Sequence, residues 1–225
     1  MEDIIDITVP LTTEIPMWPG SEGIRITPTM RMDEGAPYNV SRLDCDLHTG
    51  THVDAPKHFL QNGTTVEQLP LDVLVGPSYV AHLPDATDIT ADDLTDLNLP
   101  SGTERLLIRT RNSELWAANT TEFKKDFVAL TYDAAQWIVD KCIKLIGVDY
   151  LSVQRYRDDA RTHQILLGAD TIALEGLNLS NVKSGFYELI CLPLRLVGVE
   201  ASPVRAILRQ IPQVEEKPSA TGGKL

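Results

Sequence analysis

The sequence predicts a single α/β domain, on three observations. The chain is 225 residues long, above the usual single-domain length, yet no linker or internal repeat divides it. Hydrophobic residues make up 43% and charged residues 23%, an ordinary core and surface, which excludes disordered, collagen-like and fibrous coiled-coil chains. A strand, helix, strand pattern over residues 127–149 predicts a parallel βαβ unit with a right-handed crossover.

Asp3 to Met17 alternates apolar and polar residues and then meets Pro16, Pro19 and Gly20, so a strand should end in a turn that carries Trp18. Residues 24–32 and 39–47 also alternate and read as strands. In the second, Asp44, Asp46 and His48 share the face opposite Leu43, Cys45 and Leu47, the two acids forming a solvated or supporting face. Residues 76–83, 105–110, 127–131 and 144–149 are apolar runs of strand length. Thr90, followed by Asp92 and Asp93, predicts a capped helix, and a second is expected over Asp133–Lys141 with Ala134, Trp137 and Ile138 on one face. The polar loop 150–163 should lie between buried strands, with 163–169 and 171–179 following it, and loops so placed often carry function. Residues 186–199 read as a strand pair, and Ser202-Pro203 predicts a last helix with a hydroxyl cap and a first-turn proline. The domain is expected to span 1–213, leaving 214–225 as a mobile tail without apolar anchors.

Twenty Lys and Arg against 32 Asp and Glu give a formal charge of −12, which argues against nucleic acid and anionic membranes as partners. The three cysteines, Cys45, Cys142 and Cys191, form no CxxC pair and suggest neither a disulfide framework nor a thiolate zinc site. They fit a reducing cytoplasm. The N-terminal MEDIIDITVPL has acids where a secretory signal needs Lys or Arg, and no apolar run approaches the ~18 residues of a membrane span. A cytoplasmic, non-membrane protein is expected.

Chemistry concentrates in His48-Thr-Gly-Thr-His52-Val-Asp54-Ala-Pro-Lys-His58, where three of the five histidines and an aspartate are spaced four, two and four apart. Even offsets point to one side of an extended chain, whereas on an α-helix a residue six positions on sits about 240° round. Gly50 and Pro56 also oppose a helix. In a straight strand His48 and His52 would be roughly 13 Å apart, while ligands of one cation converge at ~2.1 Å. The chain must therefore bend, and Gly50 is free to take the unusual dihedrals, with the Thr49 and Thr51 hydroxyls available to the turn. Two imidazoles and a carboxylate then make an N,N,O set for zinc or another borderline divalent cation. His82, alone in an apolar strand, reads as an ordinary hydrogen-bonded residue. Downstream, His163 precedes Ile165-Leu166-Leu167, and Glu175 interrupts an apolar run before Gly176. A carboxylate there either faces water at a strand end or, if buried, needs a cation, strong hydrogen bonds or a proton.

The run HTGTHVDAPKHF resembles the HxGTHxDxPxHF signature of the metal-dependent cyclase superfamily, which includes bacterial kynurenine formamidase and isatin hydrolase. The likeness extends to DITVPLTTEIPMWPG, IGVDYLSV, HQILLGADTIALEGLNL and YELICLPLRLVGVEASPVRAIL, nearly the whole chain. It implies a swivelling β/β/α fold with a mixed sheet, in a homodimer or homotetramer whose active-site pieces can cross the interface. It further implies that His48, His52 and Asp54 hold a first metal, that Asp54 bridges to a second, and that His163 and Glu175 complete the second site with Glu175 also bridging. By the same resemblance His58 is the proton-transfer residue and Trp18 lines the substrate pocket. Kynurenine formamidases tend to have Thr-Pro-Ser-x-Asp where this chain reads Tyr150-Leu151-Ser152-Val153-Gln154, a loop that helps shape the pocket.

The function so implied is hydrolysis of a carbon–nitrogen amide bond with one or two divalent cations per chain, zinc first and manganese second. The substrate would be an aryl formamide such as N-formylkynurenine, with isatin-hydrolase-like opening of a small cyclic amide as the alternative. A catalytically idle metal- or ligand-binding homologue is the alternative of another class, which the intact His58 opposes. No GxSxG elbow, Walker A loop or GxGxxG is present.

Overall fold

The structure, a computed structural model, describes residues 4–211. Its elements in chain order are β1 (Ile4–Asp6), β2 (Arg25–Met30), β3 (Val40–Asp44), β4 (His52–Asp54), the single turn α1 (Leu71–Leu74), β5 (Val75–Leu83), α2 (Ala91–Asp96), β6 (Arg105–Thr110), α3 (Ser113–Ala117), α4 (Tyr132–Asp140), β7 (Leu145–Val148), α5 (Arg161–Gly168), β8 (Ile172–Glu175), β9 (Gly185–Ile190), β10 (Ala201–Pro203) and β11 (Ile207–Gln210). Nine strands form one mixed sheet in the order β1-β11-β9-β5-β6-β7-β8-β4-β10, with β5 to β8 parallel and the flanking strands antiparallel.

Alternation along the strands builds two cores. Leu107, Leu145 and Leu174 face the inside of the curled sheet together with Val53, Leu189 and Leu208. Leu106, Ile108, Ile146 and Ala173 face the other way, against Leu94, Ile138 and Leu166 of α2, α4 and α5. The curl brings the chain after β1 to the chain after β8, where the Asn178 amide donates to the Ile7 carbonyl at 2.9 Å. The result is the single α/β domain with a mixed sheet that the sequence predicts. Among the described residues no helix is long and apolar enough to cross a membrane.

Several expected elements differ. The first predicted strand shrinks to β1, followed by one bridge at Thr8, and β2 and β3 form a separate hairpin in which Arg25 pairs with Asp44 at 2.9 Å. Residues 127–131 are buried and make only isolated parallel bridges, from Leu130 to Ile89 and Gln154. The parallel partner that precedes β7 in the chain is β6, so the crossover carries both α3 and α4. Residues 163–169 lie largely on α5 instead of a strand, which turns Leu166 into the helix-side core with Ile165 packed against it. After β9, residues 191–199 form no strand beyond a bridge from Pro193 to Val204. Ser202-Pro203 opens no helix: both lie in the edge strand β10, where a proline's missing N–H costs no ladder bond on the open side. The expected tail 214–225 lies outside the described residues.

Candidate metal centre

The histidine segment bends where a glycine permits it. Gly50 has φ 63°, a left-handed conformation that side chains other than glycine's rarely adopt. The bend brings the His48 and His52 rings to 5.2 Å between centroids. The Thr51 hydroxyl donates to the Gly176 carbonyl at 2.6 Å and accepts from the Val9 amide at 2.9 Å, fastening the bend to β8 and to the N-terminal segment. Gly176, at φ 71°, packs so closely that a Cβ there would meet the Gly50 carbonyl oxygen at 2.2 Å.

Past the bend, β4 lies antiparallel to β8 with His52 opposite Glu175, and its period of two places Asp54 on the same face. Val53, between them, enters the inner core. His58 follows on a single 3-10 turn over Pro56–His58, and His163 enters from the first turn of α5. All four histidines meet one carboxylate. Nδ1 of His48 lies 2.8 Å from Asp54 Oδ1 and Nε2 of His52 lies 3.5 Å from it. Nε2 of His163 and of His58 lie 3.7 Å and 3.8 Å from Oδ2. Glu175 places Oε2 3.3 Å from His52 Nε2 and Oε1 3.2 Å from His163 Nε2.

Asp54 is 0% exposed, and both of its oxygens, with Nε2 of His48 and of His52, are buried without a hydrogen-bond partner of good geometry. Buried polar atoms are almost always satisfied, so the orphaned Asp54 oxygens beside the orphaned Nε2 of His52 fit a cation. The tightest donor groups are His48, Asp54, His58 and His52, Asp54, Glu175, each with its ligand atoms within 4.8 Å. This partition crosses the one implied by the resemblance, but Asp54 is common to both groups in either case. The donor set of imidazole nitrogens and carboxylate oxygens fits a divalent metal. The Nδ1–H of His52 donates to the Gly50 carbonyl at 3.0 Å, which leaves Nε2 as the free nitrogen.

Burial lowers the affinity of His52 for a proton, but the Glu175 carboxylate beside it and the Asp54 charge outweigh this and raise its pKa to about 9. Burial and the mutual repulsion of the two acids push Asp54 up, yet His48 and His52 hold it below its ordinary value. Glu175, despite burial, is likewise held well below the carboxylate range by His163 and His52. His58 moves the other way: burial, opposed by Asp54 and reinforced by His48 and His163, pushes it down to about 4. Without metal the site is thus an ion-paired network around a protonated His52. Because that pKa is raised, its stabilisation is full below the unfolded value of about 6.5 and is lost as pH rises through about 9. Metal-free protein is expected to melt on the order of 5 °C lower at pH 9.5 than at pH 7. A drop of the same size in His52→Gln contradicts this assignment.

The site floors a cavity of about 710 Å³ lined by His48, His58, His163 and Glu175 at its base and by Trp18, Leu47 and Phe59 on its walls. Trp18, 41% exposed, sits at an edge against Phe123 at 5.2 Å and tilts against Tyr156 at 5.5 Å. All the sequence-predicted site residues therefore come together, while His82 is exposed on β5 and takes no part. Asp46 lines the cavity and accepts from the Ser21 hydroxyl, whereas Asp44 is held in the hairpin. Of the loop 150–154, Leu151, Ser152 and Gln154 reach the cavity, but Tyr150 is buried in the aromatic core with its hydroxyl accepting from the Lys124 amide at 2.9 Å. Two participants were not singled out by sequence: Glu200, whose Oε1 lies 3.8 Å from His48 Nε2, and Phe59, stacked on His163 at 4.5 Å. Phe59 was signalled by the motif's last position; Glu200 carries no local signal.

The chain is similar to known proteins along most of its length. Residues 5–155 match the family model Cyclase, described as "Putative cyclase". Cyclase-like protein 2 of Arabidopsis thaliana is 42% identical over 213 residues, covering 91% of this chain and 78% of that protein. A solved structure described as a potential metal-dependent hydrolase with cyclase activity is 34% identical, covers 94% of this chain and 100% of its own, and superposes with a TM-score of 0.81. Isatin hydrolase A from Ralstonia solanacearum shares the fold at 23% identity and a TM-score of 0.78, covering 93% of this chain and 92% of its own. The chain belongs to the cyclase family, with a fold like that of its metal-dependent hydrolases and a His/Asp/Glu centre that fits a divalent metal.

Proposed function

We propose that the protein is a metal-dependent hydrolase of a carbon–nitrogen amide bond in an aryl formamide or a small cyclic amide. The observation that carries this reading is the buried Asp54 carboxylate, ringed by four histidines of which His48, His58 and His163 line a cavity. His48, His52, Asp54, His163 and Glu175 would hold zinc or manganese. A divalent cation so held supplies an acidified water and a polarised carbonyl. His58, kept neutral at pH 7 by burial, has a lone pair free to take the proton of the attacking water. As the carbon–oxygen bond forms and the carbon–nitrogen bond breaks, His58 returns that proton to the leaving nitrogen. Trp18 offers an aromatic face at the cavity wall for the ring of the substrate.

The charge of the outer wall favours the cyclic-amide reading over N-formylkynurenine. Asp46 and Glu200 line the cavity, and among the described residues no Lys or Arg does, so an amino-acid carboxylate finds no side-chain cation there. The test is turnover of isatin, formanilide and N-formylkynurenine with added zinc or manganese, before and after chelation. Metal-restored hydrolysis with the two uncharged substrates leading is expected. Full activity in chelated protein overturns the metal reading, and a preference for N-formylkynurenine overturns the charge argument.

A further inference from the structure

The loop Tyr150–Gln154, which the sequence marks as shaping the pocket, also braces the far side of the candidate metal centre. Its backbone is fixed at three points: the Gly176 amide donates to the Tyr150 carbonyl at 2.7 Å, the Leu130 amide to the Val153 carbonyl at 2.9 Å, and the Gln154 amide to the Ser152 hydroxyl at 3.1 Å. From this fixed segment two adjacent residues reach the two downstream ligand candidates. The Val153 amide donates to Glu175 Oε1 at 2.7 Å, and the Gln154 side-chain oxygen lies 3.2 Å from Nδ1 of His163.

We propose that Gln154 is a positioning residue for the second cation: its side-chain oxygen accepts the Nδ1–H of His163, fixing the ring so that Nε2 faces Glu175 and Asp54, where a cation can replace the hydrogen that Nε2 shares with Glu175. This rests on the reading of His163 as a ligand. An amide oxygen accepts and never donates, so the nitrogen that faces it carries the hydrogen, and the opposite nitrogen is the one left to meet a cation. Phe59, stacked on the same ring at 4.5 Å and 20°, sets its plane, while Gln154 sets its rotation. His52 is prepared in the same way by the Gly50 carbonyl at 3.0 Å, so the two imidazoles that flank Glu175 are each oriented by a neutral oxygen. Partners of this kind typically change metal affinity by about 10–100-fold. The drift of this loop therefore acts on the metal as well as on the substrate.

The experiment compares wild type, Gln154→Ala and Gln154→Glu in two measurements. The first is nitrogen-15 NMR of the histidine rings in metal-free protein, assigned with His163→Gln, which reads the tautomer directly. The second is zinc titration against a competing chelator. Wild type should show His163 with hydrogen on Nδ1. Gln154→Ala should lose that signature and weaken one zinc-binding step by about 10–100-fold, leaving the other within about threefold. Gln154→Glu, which keeps an acceptor oxygen, should restore both. A role in folding alone would lower the melting temperature without moving the tautomer, and glutamate would not rescue it selectively. An unchanged tautomer in folded Gln154→Ala overturns the proposal. If wild type binds no zinc, the ligand reading fails, while the tautomer measurement still decides what Gln154 does to His163.

Discussion

Asp54→Ala is expected to lose cation binding and to lower turnover by ~10³-fold or more, because the carboxylate is the one group common to both sets of donor atoms. Its oxygens lie within 4 Å of nitrogens of all four site histidines, and no other acid in the site does so. Removing it leaves His52 with Glu175 and the Gly50 carbonyl to support its raised pKa, so metal-free Asp54→Ala should also titrate His52 at lower pH. Metal content by mass spectrometry, steady-state turnover and a histidine titration measure the three effects together. Asp44→Ala, in the exposed hairpin, is the control that should leave all three unchanged. Retention of both bound metal and turnover within tenfold in Asp54→Ala refutes the site.

His58→Ala has the second largest expected effect, a loss of about 10²–10⁴-fold in turnover with metal content near that of wild type. Two features single His58 out from the other histidines. Its pKa is pushed down to about 4 while that of His52 is raised to about 9, so at neutral pH His58 is a free base beside a charged neighbour network. Its Nε2 is also the most distant of the four from Asp54, at 3.8 Å. Yet His58 belongs to one of the two tight donor groups, with His48 and Asp54. Parallel loss of metal and turnover in His58→Ala would make it a ligand, and undiminished turnover would remove it from the reaction.

The upstream half of the site was legible because its chemistry and its local geometry coincide in one short segment. Even spacing from His48 to His58 demanded an extended, bent chain, and Gly50 provides the bend at φ 63°. Glu175 was legible as an acid in an apolar run, open to water or to burial, and β8 buries it. What pairs with what was not legible. His163 lies on α5, whose N-cap, Ala160, offers no side-chain hydrogen bond, so the usual start signal of a helix is missing. Ser202-Pro203 carries that signal in full and nonetheless forms the edge strand beside β4, since pairing with His52 and Val53 overrides it. Gln154 and Glu200 reach the site only through tertiary placement, which no local pattern encodes.

The placement of β4 has a consequence for how the protein is made. This strand, early in the chain, is held between β8 and β10, and the hydrogen bond that fastens its bend to Gly176 closes a separation of 125 residues. Contacts of such span form slowly, because the intervening chain must first be brought together. Translation has to deliver Glu175 before β4 has a neighbour on that side, so the cation-binding arrangement is a late product of folding. A metal that binds only the finished arrangement would leave the refolding rate nearly unchanged and act chiefly by slowing unfolding.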